Sequence, residues 1–321
     1  MAEYNALFEA IYKTESHPSE EDSEANYPTS PGDIPLSQTG SLFLFTSFIF
    51  ASVIFGSKYS EPSIALFPDH AKLVSHFIGT GGAQLIGSEE AGVIDAVLAF
   101  GLWLEHTNKF VSGPIEDEDF LQNLQFTSLL SANTPSASLR YAAHTLTSSI
   151  LHAHPIDRVR LTFITDTLEH CPYEALKGSA VSWLKEEIIT AQDRKSENVF
   201  ASTTALGAAQ PYLFPSTSSL AEANDEELIQ ELVQSFPFHM AVVNFLYFLG
   251  GKQYSHVVPH GMIAIVEEIY LGPLRSAAEK AGTALGSGNL NTALGEAEDV
   301  KVELQLLGER IAMASHQIDV V

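Results

Sequence analysis

The sequence predicts an all-α protein, an α-solenoid or irregular array of helices. Three observations carry that expectation. Apolar residues recur at three- and four-residue spacing along most of the chain, proline and glycine punctuate these runs, and no stretch shows sustained apolar–polar alternation between hairpin turn signals. About ten to fifteen helices, most of roughly 12 to 20 residues, fit the length. No crisp sequence period accompanies them, so any repeats are degenerate.

Residues 5–12 fit a short helix. Residues 14–39 differ in kind: they are acidic, rich in serine and proline and poor in large apolar side chains. They are expected to form a disordered or long solvated loop. The domain reading is therefore a short helix plus acidic segment over 1–40 and one all-helical repeat domain over 41–321. The first helix of that domain, over 42–55, is apolar enough to be buried on all sides. A helix over 62–77 follows, with Pro68 as a start or break. Val93, Ala96, Val97, Phe100 and Leu104 form the stripe of a helix over 88–107, with Ser88 as its N-cap. Residues 116–130 carry Phe120, Leu121, Leu124 and Leu129.

Leu139, Ala142, Ala143, Leu146 and Ile150 line the next helix, which Pro155 ends because proline disfavours helix in the residue before it. Val159, Phe163, Ile164 and Leu168 mark another. Pro172, whose missing N–H is harmless at a helix start, opens a third in which Leu176, Ala180, Leu184 and Ile188 fall four apart, with Val181 and Trp183 beside them. Residues 195–219 read as a looser link broken by Pro211 and Pro215. A proline then separates two helices over 225–236 and 239–249. The C-terminus has the cleanest pattern: Ala297, Val300, Leu304, Leu307, Ile311, Ala314 and Ile318, preceded by Ile263, Val266, Tyr270, Leu274, Ala277 and Ala281 at similar spacing. Residues 262–318 thus read as an antiparallel helical hairpin docked on the rest of the array.

Charge narrows the function classes. The chain carries 16 Lys and Arg against 40 Asp and Glu, a formal net charge of -24. Such a surface keeps a protein soluble, repels phosphate backbones and anionic lipid, and favours a basic protein partner over nucleic acid. One cysteine cannot close an internal disulfide, so the cytoplasm, or also the nucleus, is the expected compartment. The acidic N-terminus does not read as a signal peptide. The apolar run at 41–56 holds about 15 continuous apolar residues, short of the ~20 that span a bilayer, and no membrane is expected.

Residues 144–189 concentrate the candidate chemistry. His144, His152, His154, His170 and Cys171 are all zinc-ligand types. Eight residues separate His144 from His152, which places them on one helix face but about 12 Å apart, too far for one ion. His152, His154 and His170 stand at helix ends, where an imidazolium meets the negative end of the dipole. No metal and no cofactor is expected, and a metal-dependent all-α enzyme built on these histidines is the rival reading. Cys171 precedes Pro172 at a helix N-terminus, where a thiolate is stabilised, and is the candidate redox thiol; with no second cysteine, its chemistry would be intermolecular. A quiet structural thiol is the plainer reading. GTGGAQLIG, at 79–87, resembles a phosphate loop but lacks the Walker lysine and a preceding strand. No catalytic signature and no small-molecule site emerges.

The helix ending near His-x-His-Pro, the arginine of the next helix (Arg158 or Arg160) and the run Ala180 to Ile188, AVSWLKEEI, together resemble the fungal branch of the glomulin, aberrant-lateral-root-formation and Yap-binding protein family. The resemblance implies a HEAT-like irregular α-solenoid without enzyme activity that acts by holding another protein. It implies two kinds of partner: an AP-1-like transcription factor of the oxidative-stress response, or the RING subunit of a cullin ubiquitin ligase. A paralogue linked to kinetochores belongs to the same family. Members are expected to be considerably longer than this chain. No partner-binding residue carries over: Trp183 and Leu184 read as core, and Arg158 or Arg160 and Lys185 as solvated or interhelix-pairing side chains.

Overall fold

Each long element is a helix, and the one pairing of extended backbone among the described residues is an isolated parallel bridge between Phe67 and Val111. This computed structural model describes residues 8–12, 36–56, 63–112, 115–286 and 297–318. The chain divides into two compact units, Met1–Ala153 and His154–Val321. Within each unit the helices pack on near neighbours in the chain, the arrangement of an irregular α-solenoid.

The first unit contains α1 (Gln38–Phe55), α2 (Asp69–Phe77), α3 (Ala91–His106), α4 (Asp117–Asn133) and α5 (Ala137–Ala153). Residues 8–11 are also helical; the rest of the expected helix at 5–12, and the acidic segment up to residue 35, lie outside the described residues. Ser37 caps α1 by accepting from the Gly40 N–H at 3.0 Å, so this helix starts at Gln38, before the expected boundary. Leu42, Phe45 and Ile49 are buried on the side facing α3, and Phe45 meets Phe100 edge to face at 5.1 Å. Phe43, Leu44 and Phe48 are exposed, so α1 is not buried on all sides. Its apolar composition exceeds what its contact with α3 can cover.

The expected helix over 62–77 begins only at Asp69, because residues 66–67 take N–H···O bonds to Lys109 and Phe110 at 2.9 Å instead of helical ones. Ser88 does not cap α3: its hydroxyl donates to the Leu85 carbonyl at 2.6 Å, and Glu90 occupies the cap position. The glycine-rich loop at 79–87 does hold an anion, but one of the chain's own. The Glu89 carboxylate accepts from the Gly79 and Gly87 N–H groups at 2.8 and 2.7 Å. The expected stripe of α3 is buried in full, and the stripe of α5 is buried at Leu139, Ala143, Leu146 and Ile150. In α4 the buried face is rotated from expectation: Leu121 and Leu129 are half-buried, while Asn123, Thr127 and Ser128 join Phe120 and Leu124 inside. Thr127 and Ser128 donate to carbonyls of their own helix, whereas the Asn123 amide makes no hydrogen bond among the described residues. Such a group costs about 1–3 kcal/mol.

The second unit contains α6 (Asp157–His170), α7 (Glu174–Asp193), α8 (Thr203–Leu213), α9 (Asp225–Leu249), α10 (Met262–Val266), a π-helical turn Glu267–Leu271, α11 (Gly272–Gly286) and α12 (Ala297–Ile318). Two proline readings are corrected. The looser link at 195–219 contains α8, with Pro211 inside it and Ala205, Ala209 and Leu213 buried four apart. The two helices at 225–236 and 239–249 are one helix, α9, running through Pro237. Leu228, Leu232, Ser235, His239, Val242, Leu246 and Leu249 are buried at 4-3-4-3-4-3 spacing across the proline. Burying this stripe, at about 1.5–3 kcal/mol for each large apolar side chain, outweighs the ~3 kcal/mol penalty of an interior proline. An Asn224–Glu227 capping box starts α9. By length and composition α9 could cross a bilayer, yet half of its most apolar window is buried inside the unit, against α7, α11 and α12.

The C-terminal hairpin is as expected. Val300, Leu304, Leu307, Ile311, Ala314 and Ile318 of α12 are all buried. Arg275, in the first turn of α11, donates to Ser315 near the end of α12 at 2.6 Å, which fixes the pair as antiparallel. The segment 287–296 between them lies outside the described residues. The hairpin docks through α12 onto α9, and Gln317 Nε2 donates to the Gly250 carbonyl at 3.0 Å.

One glycine tests the packing of the first unit. A Cβ on Gly101 would lie 2.7 Å from both the imidazole of His70 and the Leu146 side chain. Gly101→Ala should gain helix propensity yet lower stability by about 1–3 kcal/mol, because overpacking at that distance exceeds the propensity gain. Thermal unfolding of the variant checks this.

Candidate functional site

The stretch that concentrates the candidate chemistry is organised by a buried ion pair. Arg160 in α6 and Glu187 in α7 are 8 % and 3 % exposed. Arg160 Nη2 donates to Glu187 Oε2 at 3.0 Å, and Nε lies 2.8 Å from Oε1, off the line of a good hydrogen bond. Arg160 Nη1 donates to the His154 carbonyl, and the guanidinium lies over the Phe200 ring at 5.6 Å. Asp157 accepts from the Val199 N–H at 2.7 Å. Arginine suits this place because its planar fork serves several acceptors at once. Trp183, Leu184 and Ile188 are core, as expected, and the interhelix-pairing arginine is Arg160; Arg158 is exposed.

Fixing α6 on α7 positions the N-terminal turn of α7, which forms one wall of a cleft of about 260 Å³. Glu174 and Lys177 come from α7 and pair at 2.9 Å. Glu231, Gln234, Phe238 and His239 come from α9, and residues 215–220 close the third side. The crossing is tight: a Cβ on Gly178 would lie 3.1 Å from the Pro237 carbonyl oxygen. The third side is pinned from behind. Pro273 has no N–H to offer the Ile269 carbonyl, and the Thr217 N–H donates to that oxygen instead, at 3.1 Å. The Thr217 hydroxyl donates to the Tyr270 carbonyl at 2.8 Å.

His239 is 5 % exposed and its Nδ1 shares a 2.8 Å hydrogen bond with the Tyr270 hydroxyl. Burial lowers the pKa of His239 to about 4, so it is neutral at physiological pH. Burial, and then the Glu174 carboxylate, push the Tyr270 hydroxyl well above its ordinary value. The Ser235 hydroxyl donates to the Glu231 carbonyl at 2.6 Å. The cleft therefore offers carboxylates, one ammonium and neutral hydrogen-bonding groups, a surface suited to receiving a polar or basic chain. The sequence reading missed it because it broke α9 at Pro237; the unbroken 4-3 spacing across the proline was the signal that would have found it.

The residues singled out from sequence stand elsewhere. His144 and His152 lie in α5 of the first unit. In the second unit, the His154 Nδ1 accepts from the Ile156 N–H at 3.2 Å, and His170, in the last turn of α6, lies 3.5 Å from Glu169. No group of three His, Cys, Asp or Glu side chains among the described residues could hold a metal ion. Cys171 is the C-cap of α6, half-buried, with its N–H donating to the Thr167 carbonyl at 3.2 Å and its Sγ 3.8 Å from the Tyr173 carbonyl. Burial raises its thiol pKa, outweighing the opposing effects of that carbonyl contact and of Lys177.

Two outcomes follow for the second unit. Removing one partner of the buried pair, by Arg160→Leu or Glu187→Leu, should cost about 3–5 kcal/mol, and the double variant should recover most of it, because the cost comes from a stranded charge. A denaturation double-mutant cycle measures this. His239 makes stability fall as pH drops from about 6.5 towards 4, since in that window the unfolded chain binds a proton that the native state refuses. The slope from this residue approaches about 1.4 kcal/mol per pH unit. The urea midpoint of a His239→Gln variant should fall less steeply between pH 7 and 5 than that of the parent.

Comparison with known proteins agrees with this architecture. No curated protein matches the chain. The YAP/Alf4/glomulin protein family (Kinetochor_Ybp2) matches residues 3–309, nearly the whole sequence. This is a family of non-enzymatic proteins that bind other proteins. The chain belongs to the YAP/Alf4/glomulin family.

Proposed function

We propose that this protein is an adaptor that regulates an AP-1-like transcription factor of the oxidative-stress response in a fungus-type cell, holding the factor in the cytoplasm or nucleus while peroxide oxidises it. The family match over residues 3–309 carries the reading. The net charge of -24 supports it, because the DNA-contacting segment of such a factor is a helix rich in Lys and Arg. Glu174 and Glu231 at the cleft of the second unit supply carboxylates that a basic segment would meet.

The test uses the purified chain and a purified AP-1-like factor. The two should bind, with an affinity that weakens about tenfold or more between low salt and about 0.5 M salt, and the complex should form the factor's disulfide under peroxide faster than the factor alone. Cys171→Ser should keep both properties, since burial holds that thiol protonated and the adaptor acts by positioning its partner. Absence of binding, together with suppressed ubiquitin transfer by a cullin–RING pair, would overturn the reading in favour of a ligase regulator.

A further inference from the structure

The cleft of the second unit, of about 260 Å³, has chemistry on its floor as well as its walls. His239 lines it, is 5 % exposed, and shares through Nδ1 the 2.8 Å hydrogen bond with the Tyr270 hydroxyl. Tyr270 is fully buried, and Nδ1 is the acceptor that its phenolic proton meets. Were Nδ1 to carry the ring proton instead, the tyrosine proton would be stranded, at a cost of about 1–3 kcal/mol. The ring proton of the neutral imidazole therefore sits on Nε2. Nε2 makes no hydrogen bond to the described residues and is not among the enclosed polar atoms of the core, so this N–H is reachable from the cleft that His239 lines. On the walls, Lys177 is paired with Glu174 at 2.9 Å, whereas the exposed Glu231 makes no ion pair among the described residues. The cleft thus keeps one uncompensated negative charge and one neutral donor.

We infer that the cleft seats one arginine residue of a partner's basic segment, with its main-chain carbonyl accepting from His239 Nε2–H and its guanidinium paired with Glu231; the inference rests on the reading of the protein as an adaptor for such a segment. Length fits a single residue. Eight positions separate Glu231 from His239 on α9, ~12 Å along the axis, which one extended arginine bridges with a hydrogen bond at each end. Size agrees, since the cleft is smaller than the roughly 300–1,000 Å³ of pockets for small molecules. Charge selects a monocation. An anion would meet Glu174 and Glu231, and no group of three His, Cys, Asp or Glu side chains among the described residues could hold a metal ion. His239, neutral because burial lowers its pKa to about 4, donates without repelling a cation, and Glu174 offsets Lys177. Shape selects arginine over lysine. Gln234 stands one turn from Glu231, exposed at the cleft, and adds an amide oxygen. A planar guanidinium serves that oxygen and the carboxylate together, whereas an ammonium is a point charge. Leu220 and Phe238 offer apolar surface to the methylene stem.

The test titrates four probes into the full chain labelled with ¹⁵N-histidine: capped alanyl-arginyl-alanine, its lysine and citrulline counterparts, and propylguanidine, which has the cation but no carbonyl. Binding is read from the imidazole nitrogen signals, assigned to His239 by their loss in His239→Gln. The arginine peptide should shift the His239 Nε2 signal in a saturable way and bind about tenfold more tightly than the citrulline peptide, whose side chain has the same shape without the charge. The lysine peptide should bind more weakly than the arginine peptide, and propylguanidine should leave the His239 signal in place. Glu231→Gln should erase the preference for arginine over citrulline, while Glu226→Gln, one helical turn away and outside the cleft, should keep it. No saturable shift at His239, equal affinity for arginine and citrulline or for arginine and lysine, or equal losses in the two glutamate variants would overturn the inference, the last by showing only diffuse attraction to an acidic chain. The titration contains no transcription factor. A failed complex with that factor therefore leaves this result standing, and a failed titration removes the arginine site while leaving the adaptor reading in place.

Discussion

The cleft of the second unit depends on how closely α7 and α9 approach where Gly178 faces Pro237. With the Pro237 carbonyl oxygen only 3.1 Å from where a Cβ would sit, no other residue at 178 allows the same crossing without a shift. That approach brings Phe238 and His239 up to Glu174 and Lys177, with the Lys177 ammonium 5.9 Å from the Phe238 ring. The proline contributes twice. Its carbonyl belongs to a turn of helix that packs backbone against backbone, and its ring leaves the helix unbroken because the buried stripe continues on both sides. The third wall, at 215–220, is in turn held by the carbonyls of the π-helical turn. Such turns recur at functional sites because they free backbone groups from the regular ladder.

The buried polar groups of the second unit are used to fix helices. Arg160 serves Glu187, the His154 carbonyl and the Phe200 face at once, so one side chain ties α6 to α7 and to the turn at Val199–Ala201. In the first unit His70 is fully buried, donates from Nε2 to the Val97 carbonyl at 2.9 Å, and is held neutral with a pKa lowered to about 4 by its burial. Burial thus keeps both His70 and His239 neutral near physiological pH, away from the proton transfer for which imidazole is usually chosen. Among the described residues Glu187 is the one buried carboxylate, and the other acidic side chains are left where an approaching partner can meet them.

The helical period was legible wherever packing and polarity agreed. The stripes Leu176–Ala180–Leu184–Ile188 of α7 and Val300 to Ile318 of α12 were readable because their positions are apolar, recur at three- and four-residue spacing and are buried together. It was less legible where another term outweighed local propensity. Pro211 and Pro237 read as breaks, but burial of the flanking stripes outweighs one lost hydrogen bond. In α4, Leu121 and Leu129 drew the apolar face to the wrong side, since the real one carries Asn123, Thr127 and Ser128. The whole apolar length of α1 suggested burial all round, yet its exposure depends on how many neighbours the unit provides, which periodicity does not encode. The residues lining the cleft were hidden for a related reason: they come from three separate segments, 174–177, 215–220 and 231–239, which only the packing of an unbroken α9 brings together.

The long reach of α9 has a consequence for how the chain is made. One side of this helix is covered by α7, synthesised before it, and another by α12, whose last turn is complete only at Ile318. When α9 first leaves the ribosome, it can therefore fold against α7 but carries an uncovered apolar flank. That flank stays open while residues 250–296 emerge and until Leu307, Ile311 and Ala314 arrive to close it. The second unit is thus finished from its far end, and a nascent chain paused between α9 and α12 presents a sticky helix that a chaperone would have to shield.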